Sequence, residues 1–384
     1  KYADAALHRV TAEKLEAEIK AKRNKDLLMS YGLVPVKGQE EWLKRYEFLQ
    51  QFLKESRQFG AQRRASEALA VSMAMKNMAT KAGFADVTRL TLAMETQLVK
   101  SYAVFFEKKE AEGVSLSLSV DEYGRASITA GKDGKTLKSV PARLKKNEYY
   151  LQLKEVYTKL KEQYSRTVKM FEQAMEERER YRFGELLELC GNPVAEPVVR
   201  SLVWIVDKQP VSGGSWRENP SPVSGFGQES QLTASGFLRE NGLQDHSGRM
   251  VPLDAGDYLR VAHPADLYRE GSWTAYQKFL FEGGKKQPFK QVFRELYVKL
   301  PEELERTHSL MFAGNQIQPS KTAACLKARR WVADYEEGLQ KIYYKDNIIA
   351  HIYAQADWFS PSDVEAPALE WVEFTDRKTF EEIR

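Results

Sequence analysis

The spacing of the apolar residues changes at Gly113, and this change constrains the fold more than any other feature of the sequence. Before it, apolar residues recur every three or four positions, which is typical of amphipathic α-helices. After it, the apolar residues of Val114–Val120 alternate with serine, which is typical of a β-strand. The chain is therefore predicted to have an α+β fold, in which a helical N-terminal region precedes mixed β and α layers.

Two regions are predicted before residue 198. Residues 1–112 are expected to be helical throughout and to resemble a helical-repeat array, although they show no fixed sequence period. Residues 113–197 form the second predicted region. In it, a turn at Asp121–Gly124 predicts a β-hairpin, and the apolar stripe that starts at Leu153 predicts a long helix ending near Arg182.

Residues 198–384 are predicted to be a mixed α+β domain. The segment Val198–Val206 is expected to be a strand, and residues 209–235, which are rich in glycine, serine and proline, predict a flexible loop. After Trp331 the turn residues predict an antiparallel β-meander. The isoleucines within Ile342–Trp358 suit either periodicity, so a helix is the alternative there.

The segment Lys286–Lys299 is predicted to be an amphipathic helix that joins the helical and β parts of the C-terminal half. Its apolar residues fall at i, i+3, i+4, i+7 and i+8, which places them on one helix face. Pro288 suits the first turn because its φ angle is fixed near the helical value. Phe293→Ala is therefore expected to cost about 3–5 kcal/mol. The side chains expected to be buried are Phe289, Val292, Phe293, Leu296 and Tyr297.

Length and composition restrict the class of protein. The chain has 384 residues, 42% hydrophobic and 29% charged, which predicts a globular protein with two or three cores. No apolar run approaches the roughly 20 residues of a membrane helix, and Lys1–Val10 lacks the apolar core of a signal peptide. Cys190 and Cys325 are expected to be buried thiols in a reducing cytoplasm. Because the chain has no initiator Met, we expect a piece of a longer protein.

His263 and Asp266 are the candidate catalytic residues. A histidine at the end of a strand beside a carboxylate can act as a general base. The alternative, which we favour, is that both side chains bond to the backbone and to the start of the next helix. The histidines and cysteines show no metal-ligand spacing, and no phosphate-binding or dinucleotide motif is present. We therefore expect neither a metal site nor a cofactor.

Basic residues recur from position 285 to position 330 and suggest a binding surface. If they share a face with Trp331 and Tyr335, they can contact a phosphate backbone. A net charge of +4 permits an anionic partner without requiring one, and we expect these residues instead to pair with acidic residues of 361–384. Two amides in the same part of the chain suit a ligand, although Gly-Asn is first a turn signal. The candidate binding residues are Lys286, Lys290, Arg294, Asn315, Gln316, Lys327 and Arg330.

Several stretches taken together resemble one bacterial family. They include Arg260–Tyr268, Gln287–Tyr297, Phe312–Pro319 and Ala328–Pro361. Over roughly Gly113–Phe374 the chain is similar to the large domain of unknown function in molybdate-metabolism-regulator-like (MolR-like) proteins, which often carry WGR modules. The resemblance implies a bacterial protein that continues beyond Arg384, with no agreed reaction and no catalytic residues. No WGR module is visible in the sequence, so the nucleic-acid association of that module is not carried over.

Three functions are compatible with these observations. The leading hypothesis is a non-catalytic interaction or scaffolding region of a large bacterial cytoplasmic protein, whose partners are the rest of its own chain and other proteins. The first alternative is nucleic-acid binding through the basic clusters. The second is an enzyme with a pocket near His263. Clustering of His263, Asp266, Arg294 and Asn315 would favour the enzyme, and a continuous basic face with exposed aromatic residues would favour nucleic acid.

Overall fold

The structure is a computed structural model of an α+β protein, which confirms the predicted fold class. Among the helices in the described part of the chain, none is long and apolar enough to cross a membrane. All but the last two residues of the predicted flexible loop at 209–235 lie outside the described residues, and Ser235 begins a strand. The structure describes residues 1–36, 38–207, 234–298, 300–333, 338–356, 358 and 367–383.

The N-terminal region is helical as far as Phe105, as the periodicity predicts, but Lys109–Ala111 forms a strand instead of helix. Asp86 begins its last helix as an N-cap and accepts a hydrogen bond from the Arg89 backbone N–H at 2.8 Å. Gly83 ends the preceding helix with a φ of 79°, which glycine adopts without strain. The apolar faces pack into one core that includes Leu28 and Leu49. The helices are α1 (Tyr2–Ala6), α2 (Ala12–Lys22), α3 (Lys25–Tyr31), α4 (Gln39–Glu55), α5 (Ala61–Ala82) and α6 (Val87–Ser101).

Helix α7 (Glu148–Glu176) contacts the N-terminal helices and the two following sheets. Asn147 caps it by accepting hydrogen bonds from two backbone N–H groups of the first turn. The predicted hairpin is confirmed, and the first half of α7 packs on it. Phe171 in the second half of α7 enters the core of the next sheet. The strands of the hairpin sheet, in spatial order, are β1 (Lys109–Ala111), β2 (Val114–Val120), β3 (Ala126–Lys132) and β4 (Lys135–Thr136).

A second antiparallel sheet of six strands follows α7. Its strands are β5 (Arg180–Arg182), β6 (Val203–Val206), β7 (Ser235–Arg239), β8 (Gly242–Gln244), β9 (Met250–Pro252) and β10 (Tyr258–Val261), and their spatial order is β5-β10-β6-β7-β8-β9. The helices around it are α8 (Phe183–Leu189), α9 (Glu196–Ser201), α10 (Pro264–Glu270) and α11 (Trp273–Glu282). The strand expected at Val198–Val206 is wrong in its first half. There α9 forms instead, because Pro197 suits a first helical turn and buried valines fit either structure.

The predicted helix at Lys286–Lys299 is wrong, since the described residues of this segment form turns and irregular structure. The reason is the side chain of Gln291, which is fully buried and bonds to the backbone at the ends of β6 and β10. Val292 is buried beside it, but Phe293 is 44% exposed. The other three apolar residues predicted to be buried, Phe289, Leu296 and Tyr297, are partly exposed.

The predicted C-terminal meander is confirmed, and the helical alternative for Ile342–Trp358 is wrong where the structure describes it. Helix α12 (Pro319–Lys327) precedes the meander and starts with a proline in its first turn. The strands are β11 (His308–Ser309), β12 (Val332–Ala333), β13 (Leu339–Tyr343), β14 (Ile348–Gln355) and β15 (Ala368–Asp376), and their spatial order is β11-β15-β14-β13-β12.

Candidate functional site

The candidate catalytic pair, His263 and Asp266, forms the N-terminal cap of α10. The His263 backbone N–H donates to the Asp266 carboxylate at 3.0 Å, and the His263 Nδ1 accepts from the Ala265 backbone N–H at 3.2 Å. Asp266 also pairs with Arg260 and, at 2.7 Å, with Arg269. This is the structural alternative that the sequence left open.

Electrostatics are consistent with a structural role for this pair. Burial is the largest single effect on the pKa of Asp266 and raises it, but the bonds from Arg260 and from the His263 N–H outweigh burial and hold that pKa below its ordinary value. Burial lowers the pKa of His263, so its imidazole is neutral at pH 7. The carboxylate is thus fixed by arginines, and the histidine nitrogen nearest the helix is occupied.

Asn315 does not join this pair in the described structure. Its side-chain amide donates to the Phe312 backbone carbonyl at 2.9 Å, and the backbone carbonyl of Asn315 accepts from the Leu369 N–H at 2.9 Å. Gln316 forms a β-bridge with Ala368. Both candidate binding residues therefore belong to a turn that lies against the start of β15. Burial dominates the lowering of the His263 pKa, and Arg294 lies near enough to His263 to contribute to it. Asn315 bonds within its own turn instead, so the four side chains whose clustering would favour an enzyme do not form one group.

Arg294 lies instead against the C-terminal end of α7. Its Nη1 is 3.1 Å from Glu176 Oε1, and its Nη2 pairs with Glu172. Lys341 of β13 approaches the same Glu176 at 3.0 Å. Burial raises the pKa of Glu176, but Lys341 and Arg294 outweigh that effect, so the net shift is downward. We call these ion pairs the α7 seam, because they join α7 to the segment after α11 and to the meander.

The α7 seam also takes in the basic residues near position 330. Arg330 Nη1 is 2.9 Å from Glu177 Oε1, and Lys345 Nζ is 2.6 Å from Glu179 Oε1. Among the described residues the expectation that Arg330 pairs with acidic residues of 361–384 is wrong, since its partner is Glu177 at the end of α7. Of the remaining predicted binding residues, Lys290 pairs with Glu295, whereas Lys286 and Lys327 are exposed.

Exposed apolar side chains collect where two irregular segments meet. The centroids of the Tyr297 and Phe312 rings lie 6.2 Å apart. The irregular segment before the short 3₁₀-helix at Pro301–Glu303 therefore contacts the turn before α12. Five residues around this contact are 48–58% exposed. We call them the apolar surface, and they are Val298, Leu300, Leu310, Met311 and Phe312.

Among the described residues, three could together hold a metal ion. Ligand atoms of His308, Glu373 and Glu382 lie within 4.8 Å of one another. Glu373 approaches His308 Nε2 at 3.5 Å, whereas Glu382 approaches Nδ1 at 3.8 Å. The His308 Nδ1 also lies 2.8 Å from the Thr307 hydroxyl, which competes with Glu382 for that nitrogen. The three residues lie at the β11 edge of the meander.

A polar cleft of about 830 Å³ between the N-terminal helices and α7 contains residues that were not among the predicted sites. Glu95, Gln163 and Arg166 line it. A signal was present in the sequence, since Gln163 and Thr167 continue the apolar stripe of α7 at helical spacing. Polar residues in such positions become buried, and buried polar residues need partners.

Two family models match the chain. One is described as a domain of unknown function (DUF4132) and matches residues 134–331, which is just over half of the chain. The other is described as a family of unknown function (DUF5724) and matches residues 1–94. Neither description mentions a molybdate regulator or a WGR module. The first match crosses the predicted boundary between residues 197 and 198, and the three-region division remains a prediction. No curated protein and no solved structure matches the chain.

Proposed function

We infer that this chain, which belongs to the family described as a domain of unknown function (DUF4132), is a non-catalytic region that binds another protein. The observation that carries the proposal is the apolar surface. Monomeric proteins seldom expose apolar side chains in contiguous groups, and such groups usually mark contact sites for proteins. Leu310, Met311 and Phe312 are consecutive and all exposed.

The surroundings of the apolar surface suit an interface. Interfaces combine an apolar centre with a charged and solvated rim. Glu302, Glu305 and Arg306 are exposed in the same stretch of chain as Leu300 and Leu310. A partner is expected to contribute apolar or aromatic anchors for the centre and polar groups for the rim.

The rest of the fold supports a scaffolding role. Helix α7 packs on the hairpin and on the second sheet, and the α7 seam ties it to the meander. The seam also fixes Arg294, which precedes the apolar surface by four residues in the chain. A surface fixed on a rigid base loses less conformational entropy on binding than a free loop does.

The finer description of the protein rests on the resemblance alone. We propose a bacterial, cytoplasmic and regulatory setting, as in MolR-like proteins, with the rest of a longer chain and other proteins as partners. Nucleic-acid binding receives less support, because Arg294 and Arg330 are engaged by glutamates of α7. Phosphate contacts by these two residues would have to displace those glutamates.

A photo-crosslinking amino acid at position 311 tests the proposed function in cells. The expected result is one discrete protein adduct, identified by mass spectrometry, that disappears when Leu310→Asp is added. The control places the same crosslinker at Leu151, which is 52% exposed on α7 and far along the chain from the apolar surface. Equal adduct patterns at both positions, or no adduct at position 311, would refute the proposal.

A further inference from the structure

The cleft between α4, α6 and α7 has the size and lining of a small-molecule site. Its volume of about 830 Å³ lies within the range of roughly 300–1,000 Å³ that ligand pockets occupy. Acidic and basic side chains line it in equal numbers. Tyr31, Tyr46 and Tyr102 add aromatic surface. A balanced lining of this kind suits a ligand that carries both charges.

Glu95 of α6 is an incompletely bonded carboxylate in this cleft. It is 1% exposed, and its Oε1 accepts from the Tyr46 hydroxyl at 2.8 Å and from Arg166 Nε at 2.6 Å. Its Oε2 makes no hydrogen bond to the described residues. Burial raises the pKa of Glu95, and Arg166 and Tyr46 offset part of that effect. A buried carboxylate oxygen without a donor is costly, so a donor from outside the protein would bind it well.

Gln163 of α7 has an unbonded donor that complements the unbonded acceptor of Glu95. Its side chain is 4% exposed and lines the cleft, and its Nε2 donates to none of the described residues. Arg166 is one turn further along the same helix face, because residues three apart are neighbours on a helix. The Arg166 guanidinium donates to Glu95 through Nε and also interacts with the Tyr46 hydroxyl, and the Arg166 side chain is 34% exposed and lines the cleft. An unbonded donor on Gln163 and a partly exposed guanidinium on Arg166 thus accompany an unbonded acceptor on Glu95.

We propose that this cleft binds a free α-amino acid. Its ammonium group would donate to Glu95 Oε2, and its carboxylate would accept from Gln163 Nε2 and the terminal nitrogens of Arg166. The planar fork of a guanidinium matches a carboxylate in geometry as well as charge. Glu95 Oε2 and Gln163 Nε2 are closed to solvent in this structure, so binding requires both side chains to shift toward the cleft. A bound water would satisfy one or two of these atoms but would leave most of the cleft unused.

Isothermal titration of the purified chain with each of the twenty amino acids tests the proposal. One amino acid, or a chemically related few, is expected to bind saturably. Gln163→Leu keeps the side-chain volume and removes the donor, and it should weaken that binding at least tenfold. Gln152→Leu is the control, since Gln152 is exposed on the same helix outside the cleft, and it should bind as the wild type does.

The two ends of the ligand can be tested separately. The N-acetylated form of the bound amino acid has no ammonium group and should lose most of its affinity. Saturable binding by none of the twenty amino acids would overturn the proposal and leave water as the partner of Glu95. Unchanged affinity in Gln163→Leu would overturn it as well. The cleft and the apolar surface share no residue, so the proposed function stands or falls independently of this result.

Discussion

Replacement of Gln291 by leucine is expected to destabilise the protein more than any substitution on the apolar pattern of its segment. The Gln291 Oε1 accepts from the Val203 N–H at 2.9 Å, and its Nε2 donates to the carbonyls of Val203 and Ala262 at 2.7 and 2.9 Å. The Val203 carbonyl keeps a second donor, the Ala262 N–H. Leucine therefore leaves two buried backbone groups without their side-chain partner, the Val203 N–H and the Ala262 carbonyl.

The magnitude follows from those two groups. Each buried polar group that loses its partner costs about 1–3 kcal/mol, so Gln291→Leu should lower the free energy of unfolding by about 2–6 kcal/mol. Urea denaturation followed by tryptophan fluorescence measures this, because Trp204 lies in the same sheet. Gln152→Leu on the exposed face of α7 is the matched control and should change stability by less than about 0.5 kcal/mol.

Phe293→Ala completes the comparison. The helical pattern predicts a cost of about 3–5 kcal/mol, whereas a side chain that is 44% exposed should cost about 1 kcal/mol or less. The ranking of the two variants therefore separates the structure from the pattern. A larger loss for Phe293→Ala than for Gln291→Leu would show that the segment is packed as a helix and would refute the reasoning.

Four further predictions concern charge. Glu176→Gln should cost about 1–3 kcal/mol in the same urea assay, because it leaves Arg294 and Lys341 partly unpaired in a largely buried site. The pKa of Glu176 is lowered from 4.5, so the contribution of Glu176 to stability should be complete above pH 4.5 and be lost as the pH falls through the folded-state pKa. A pH series of unfolding measurements should show no such loss in Glu176→Gln. Arg330→Glu should lower stability by placing a carboxylate beside Glu177. In gel-shift titrations at low salt we expect no tight binding of single-stranded or duplex DNA. Tight, salt-sensitive binding would instead favour the nucleic-acid alternative.

The parts of the fold that the sequence predicts well are those with local causes. The hairpin at Val114–Lys132 and the meander follow from alternating side chains and turn residues that are close along the chain. The capping roles of Asp86 and of His263 with Asp266 also depend on neighbours within three residues. Such features are readable because the interacting groups lie within one short window.

The features that were predicted wrongly depend on distant partners. Gln291 overrides the helical pattern of its segment because it bonds to Val203, which is 88 residues away in the chain. Arg330 pairs with Glu177, 153 residues away, and no local signal chooses that acid over those nearer the C-terminus. Charge pairing is nearly independent of sequence pattern, so it becomes visible only once the fold places the groups together.

The polar cleft could be predicted from the sequence only in part. Gln163 occupies a position on the apolar stripe of α7 that must be buried, and this could be read from the sequence alone. The sequence alone does not show that Glu95 and Arg166 lie beside Gln163, because Glu95 and Arg166 meet only when α6 packs on α7. Polar residues at core positions of a long amphipathic helix are thus worth testing as site residues before a structure exists.

The affinity of the crosslinked partner for two purified variants tests the central claim most directly. Met311→Asp places a charge at the centre of the apolar surface, and Leu151→Asp places the same charge at a similarly exposed position on α7. If the apolar surface is the binding site, Met311→Asp should raise the Kd at least tenfold, which is about 1.4 kcal/mol, while Leu151→Asp leaves it unchanged. An equal Kd for the two variants, with both folded as judged by their melting curves, would contradict the claim that this protein binds its partner there.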